Sequence, residues 1–415
     1  MINIFKNIDS LVQISNDNSK FKTKENMRNI CEIKDGAIIF NEKILWAGKT
    51  EDLGKALESI DYDYMVVEEM RGKTVLPGFV DPHTHLIFGG DRSAEFARRL
   101  EGATYVDIAE EGGGIQSTVR ATRAASLEDL IKNGKKLLTN AIKHGTVAFE
   151  IKSGYGLTTD SELKSLEAIK ELRKQFPVHI SSTFLGAHDF PPEYKDKRDE
   201  YVDLICNEML PLVAKNNLAD YCDAFVDKGY YTVEQGEKIF LRAKELGLKI
   251  KMHADELADV NAASLAAKVG AISADHLLFV SDAGIEAMKQ SGTVGTLLPG
   301  TSFFIRMPHA NARKIIDSGA ITALSTDCNP GSSFTENMQM ILWLATINLK
   351  MTAEEALVAS TLNSAHAIEQ SDKLGSIEEG KEASFIILDV PSYKELFYHF
   401  GYNHVEKVFI KGKEF

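Results

Sequence analysis

Cysteine is scarce in this chain, and long apolar runs are absent. The four cysteines, Cys31, Cys206, Cys222 and Cys328, form no C-x-x-C pair. That excludes a zinc-finger pattern and a disulfide framework, and leaves free thiols in a reducing cytoplasm as the expectation. No stretch of about 18 apolar residues occurs, so no membrane span is expected. The opening MINIFKNIDS lacks a basic region followed by an apolar core, so no secretory signal is expected either. Basic charge is in deficit: 47 Lys and Arg stand against 60 Asp and Glu, a net charge of −13. That balance argues against nucleic acid as a partner. It leaves room for an anionic small molecule, because one local arginine can reverse the field. Internal repeats and low-complexity segments are missing. Gly112-Gly113-Gly114, with Arg120 and Arg123 nearby, lacks the G-K-[ST] of a phosphate loop and reads as a plain loop.

What is present suits a globular protein. Of 415 residues, 44% are hydrophobic and 26% charged, enough for one domain of about 250–300 residues and a smaller one. The first 73 residues look like short strands, with 36–40 and 44–48 as a β-hairpin. Residues 383–390 and 405–410 have the same character. One small β-sandwich domain built from residues 1–73 and 371–415 is expected. Between them, residues 74–370 alternate. Strand candidates lie at 74–80, 146–151, 179–185, 221–226, 248–252, 271–275, 293–298 and 320–326. Helical patterns lie at 126–143, 161–175, 233–247, 258–268, 281–290, 309–318 and 352–368. Ser126 is a natural N-cap for the first of them, and His144-Gly145 stops it. Eight strands alternating with helices predict an α/β fold, a (β/α)8 TIM-like barrel.

The run Gly78-Phe79-Val80-Asp81-Pro82-His83-Thr84-His85 is the most informative one. In a strand, residues i and i+2 share a side. Two imidazoles leaving one strand end can therefore hold one metal. His253, His276 and Asp327 each end a later apolar run. A lone strand-end histidine is more often an ordinary hydrogen-bonding residue. Five candidates at matching ends favour a metal site suited to zinc or iron, with a position left for water. His144, His179, His309, His366, His399 and His404 lack this placement and read as structural. Lys228 stands one or two positions too late for a bridging lysine, which favours one metal. Cys328, beside Asp327, reads as a small buried apolar residue.

At this point the chain resembles the amidohydrolase superfamily over nearly its whole length. Ser384 stands where the superfamily usually has Asp, in the small domain and away from the chemistry. The motifs DPHTHLIFGGDR (81–92), EGGGIQSTV (111–119), EIKSGYGL (150–157), STFLGAH (182–188), KMHADE (251–256), SADHL (273–277) and STDCNPGSS (325–333) are similar to those of the branch acting in histidine degradation. The resemblance implies hydrolysis of 4-imidazolone-5-propanoate to N-formimidoyl-L-glutamate with one zinc or iron per subunit. It implies His83, His85, His253 and Asp327 as ligands, and a homodimer as the assembly.

Such a substrate, a cyclic amide carrying a propionate, needs a clamp. Arg92 can pair with the carboxylate in bidentate fashion. Tyr155 adds a hydroxyl and His188 an imidazole; the resemblance places all three around substrate. Glu256 and Asp327 are candidate proton acceptors. Glu256 is favoured as contacting the ring. His276 is either a donor to the developing oxyanion or a fourth ligand. Asn329, Gly331 and Ser332 offer donors in a loop that is also an ordinary Asn-Pro-Gly turn. A nucleobase deaminase or another cyclic amidase is the alternative on the same scaffold. A non-catalytic scaffold protein is disfavoured by the full ligand set.

Overall fold

The structure is a computed structural model, and it describes residues 1–102 and 113–415. Glu111 and Gly112 of the 111–119 motif thus lie outside the described residues.

Eight parallel strands stand in sequential order. They are β1 (Phe79–Thr84), β2 (Thr146–Lys152), β3 (His179–Ala187), β4 (Tyr221–Val226), β5 (Lys249–Ala254), β6 (Ser273–His276), β7 (Val294–Leu297) and β8 (Thr322–Leu324). Nearly every residue in them is buried, as expected of a parallel sheet covered by helices. At the seam between β8 and β1, Thr326 N–H donates to Asp81 Oδ1 at 3.1 Å, and Ser325 Oγ donates to the carbonyl of His83 at 2.8 Å. His85 N–H also donates to the carbonyl of Cys328 at 2.9 Å. Polar side chains thereby close the barrel.

The helices follow their caps. Ser126 and Asp129 form a reciprocal capping box at the head of Leu127–Lys143. Two helices start later than their apolar patterns. Ala262–Val269 begins at residue 262 because the Asp255 carboxylate collects the amides of Val260, Ala262 and Ala263. Ala312–Ser318 follows Pro308 and starts where Asn311 accepts from Lys314 N–H. The pattern at 352–368 divides at Thr361 into Ala353–Ser360 and Leu362–His366. There the hydroxyls of Ser360 and Thr361 both reach back to the carbonyl of Leu357 and compete with the helical ladder. An additional helix, Met338–Ile347, lies between Asp327 and this pair.

The expected strand 74–80 is divided as well. Thr74–Pro77 joins a six-stranded sheet with strands from both ends of the chain, whereas Phe79 onward is β1. The switch occurs at Gly78. Its N–H donates to Ser384, while the next amide donates to Gly145 in the barrel. A Cβ at Gly78 would lie 2.4 Å from the Val147 side chain, so only glycine fits. A four-stranded sheet, in the order Ile44–Lys49, Gly36–Phe40, Ile2–Ile8, Met65–Glu69, faces the six-stranded one. Phe5, Phe40, Phe385 and Phe409 meet in their shared core at centroid distances of 4.9 to 6.0 Å. Among the described residues no helix is long and apolar enough to cross a membrane.

Candidate metal centre and substrate pocket

The strand ends deliver the expected histidines to one place. One nitrogen each from His83, His85 and His253 lies within 4.8 Å of the others, and all three residues are buried. Asp327 follows β8 by three residues. Its Oδ1 is 3.6 Å from His83 Nε2 and 3.4 Å from His85 Nε2, and it is buried without a hydrogen-bond partner. The other oxygen, Oδ2, accepts from Thr301 Oγ1 at 2.5 Å, so Oδ1, without a hydrogen-bond partner among the described residues and facing two imidazole nitrogens, is the atom that fits a metal cation.

The histidines are aimed from behind. Asp275 Oδ2 lies 2.7 Å from His83 Nδ1, and Asp223 Oδ2 lies 3.0 Å from His253 Nδ1. Each contact leaves Nε2 for the centre of the site. Lys152 Nζ donates to Glu150 and Asp223 at 2.8 Å each, and both carboxylates are fully buried. Burial alone would lower the Lys152 ammonium, but Asp223 and Glu150 outweigh it and keep it charged. Asp223, in turn, is held ionised against its burial by His253 and Lys152. Burial pushes His83, His85 and His276 well below the ordinary imidazole range, so they are neutral with lone pairs free for a metal. Asp327 is raised to about 7 and Glu256 also rises, burial being the first cause in both. A cation placed among these groups acts in the opposite direction.

These residues open into a cavity of about 1210 Å³. Arg92, Tyr155, His188 and Glu256 line it, together with His276 and the Asn329–Ser332 turn. Arg92 is already engaged: its Nε lies 3.0 and 3.1 Å from the Glu95 carboxylate oxygens, and Nη2 also donates to Glu95. Its Nη1 would be 2.2 Å from a Cβ on Gly331, so glycine there is what admits the guanidinium. His188 Nδ1 lies 3.0 Å from the carbonyl of Gly154, and its ring stacks on His85 at 5.1 Å. Burial lowers His188 to about 3, which keeps it neutral. Glu256 is placed by Asp227, whose carboxylate accepts from the amides of Glu256, Leu257 and Ala258 at 2.6, 2.9 and 3.2 Å. Asn329 Oδ1 accepts from Gly331 and Ser332 N–H at 2.8 Å each, so its side chain builds the turn as well as lining the cavity.

His276 is not in the three-histidine group. Its Nε2 lies 3.6 Å from Glu256 Oε2, and both its ring nitrogens lack hydrogen-bond partners. Lys228 is exposed and does not enter the barrel. Cys328 is buried, as expected. His309, read from the sequence as structural, instead lines the cavity, as do Glu95 and Arg99. Arg99 donates to the carbonyl of Phe304 at 3.2 Å. Asp223, Asp275 and Lys152 are not among the site residues expected from the sequence. A charged residue inside an otherwise apolar strand was their available signal, since such a group is buried only with a partner.

Strained backbone occurs here as well as elsewhere in the chain. Leu157, Asp255, His276, Leu277, Arg306 and Asp327 all adopt left-handed φ values between 50° and 78°, and each lies at or just beyond the carboxyl end of a strand or at the cavity.

The amidohydrolase family model matches residues 74–415. The chain belongs to the amidohydrolase family. Within the family, it is 49% identical to the imidazolonepropionase of Thermoanaerobacter pseudethanolicus over 388 residues, 93% of this chain and 91% of that one. It is 48% identical to the imidazolonepropionase of Caldanaerobacter subterraneus over 390 residues, 94% and 92% of the two chains. These identities put this amidohydrolase among the imidazolonepropionases. Its fold matches an adenosine deaminase from Xanthomonas campestris with bound zinc (TM-score 0.71, 18% identity, 99% and 92% of the two chains). It also matches E. coli guanine deaminase (TM-score 0.73, 16% identity, 100% and 99% of the chains). At such identities the amidohydrolase fold alone is shared.

Proposed function

We propose that this amidohydrolase hydrolyses the ring amide of 4-imidazolone-5-propanoate to N-formimidoyl-L-glutamate, using one metal ion. The observation that carries the reading is a single cavity in which Arg92, Tyr155 and His188 face a cluster of three histidines and Asp327. A neutral nucleobase has no carboxylate for an arginine to grip, which disfavours the deaminase alternative.

His83, His85, His253 and Asp327 would hold the metal; a histidine and carboxylate set suits zinc or iron. Bound there, it supplies Lewis-acid activation of water and of the carbonyl. The protein does the rest. Arg92 offers its remaining N–H groups to the propionate, and Tyr155 and neutral His188 fix the ring. Glu256, turned inward by Asp227, hydrogen-bonds the ring and shares proton movement with Asp327. His276 Nε2 donates to the oxyanion as the carbonyl carbon becomes tetrahedral. The Asn329–Ser332 turn holds the product's end. Residues 79–370 carry this chemistry, and 1–77 with 371–415 form the accompanying sandwich. A homodimer in the cytoplasm completes the reading; light scattering that gives a monomer's mass would remove the dimer.

Turnover of freshly generated imidazolone propionate, followed by loss of its ultraviolet absorbance with metal assayed on the same sample, tests the function. Formation of formimidoylglutamate, abolished by chelation and restored by zinc or iron, is expected. A folded, metal-loaded protein that leaves the substrate intact while deaminating a purine would replace the reading.

A further inference from the structure

Tyr155 rides on the loop 153–157, between β2 and the helix Thr159–Gln175. Gly154 and Leu157, on either side of it, are left-handed at φ 111° and 53°. A loop of this shape needs an anchor. Glu162, fully buried near the start of the helix, is placed to be one. Its Oε2 accepts from Gly154 N–H at 3.1 Å, and its Oε1 from Gly156 and Leu157 N–H at 2.8 and 2.9 Å. The three amides straddle Tyr155. Gly156 packs so closely on the helix start that a Cβ there would lie 2.6 Å from the Ser161 carbonyl carbon. The carbonyl of Gly154, held by the same grip, is the partner of His188 Nδ1.

No lysine or arginine forms an ion pair with Glu162 among the described residues. A buried carboxylate without a cation is a costly way to close a loop if closure is all that is needed. Convergent charge-assisted hydrogen bonds do something an apolar contact cannot: they fix direction as well as distance. We propose that Glu162 is a positioning residue for Tyr155 and, through Gly154, for His188, and so sets the substrate-binding wall of the cavity. The inference rests on the reading that Tyr155 contacts the substrate.

Glu162→Gln keeps the volume and turns one acceptor into a donor facing backbone N–H groups. It is expected to raise KM about ten-fold, with kcat within about three-fold and metal content unchanged. A double-mutant cycle separates positioning from general weakening. In a Tyr155→Phe background the same change is expected to raise KM by less than about three-fold, because the hydroxyl it places is gone. Penalties that simply multiply, or a native KM in Glu162→Gln, overturn the proposal. Should that variant not fold, Glu162→Asp, which keeps the charge but withdraws it by one methylene, goes through the same cycle. Hydrogen exchange gives a readout independent of turnover. The amides of Gly154, Gly156 and Leu157 should exchange at least about ten-fold faster in the variant while β2 stays protected; unchanged exchange overturns the anchor. A native protein that anchors this loop but does not turn over the substrate would instead count against the reaction.

Discussion

The molecule has two interiors built on opposite chemistry. The sandwich interior is a cluster of phenylalanines around Phe5, Phe40, Phe385 and Phe409. The interior of the barrel holds Asp81, Glu150, Lys152, Asp223, Lys251 and Asp275, every one buried. Apolar rings stabilise by area and shape and tolerate small shifts. Buried ions stabilise little, because desolvation offsets their attraction, but they enforce direction. The contrast indicates a division of labour. One interior secures the fold, and the other orients His83 and His253.

The two interiors can be perturbed separately. Stability should respond most in the sandwich. Phe385→Ala should cost about 3–5 kcal/mol in chemical denaturation while metal per folded molecule stays native; metal loss in proportion to stability would erase the distinction. Asp275→Asn should reverse the pattern. It keeps the size but weakens the hold on His83, so metal affinity in a chelator competition should fall about 10–100-fold with a smaller change in stability. Arg92→Ala tests the mouth of the barrel rather than its interior. KM should rise about ten-fold or more, since a charged hydrogen bond is lost, at native metal content; an unaltered KM would sink the clamp.

The smallest effect concerns pH. His179, at the other end of β3, is lowered from 6.5 to about 4, by burial first and then by Arg173. Between those values the unfolded chain takes up a proton that the folded chain refuses, so stability falls as pH drops through that window and is unaffected above it. His179→Gln should flatten part of that decline, seen as a smaller shift in urea midpoint between pH 7 and pH 5. Equal shifts in both proteins would place the acid sensitivity elsewhere.

Much of the barrel was legible because its strands are short apolar runs ending in residues that only chemistry explains. His83, His85, His253 and Asp327 sit at such ends, and the structure brings them together. What was hidden depended on partners distant in sequence. Asp223 and Lys152 look like interruptions of their strands until the fold puts them 2.8 Å apart. The change of sheet at Gly78 leaves no trace in hydropathy, since both halves are equally apolar; only the Val147 side chain, 69 positions away, forbids a larger residue. Glu95 could not be foreseen on Arg92, since an acid three residues further along a helix reads as a surface pair.

The left-handed residues around the cavity have a consequence for engineering and for evolution. Glycine at Arg306, the left-handed residue that ends the helix Pro299–Ile305, would relieve a backbone penalty of about 1–2 kcal/mol, so a screen for heat resistance alone is drawn to this position; at Leu157, buried in the core, the lost side chain would outweigh the relief. Arg306 also lines the rim of the cavity. Thermal robustness and turnover therefore pull in opposite directions at the mouth of this barrel, and the sandwich is the safer place to look for a hardier enzyme.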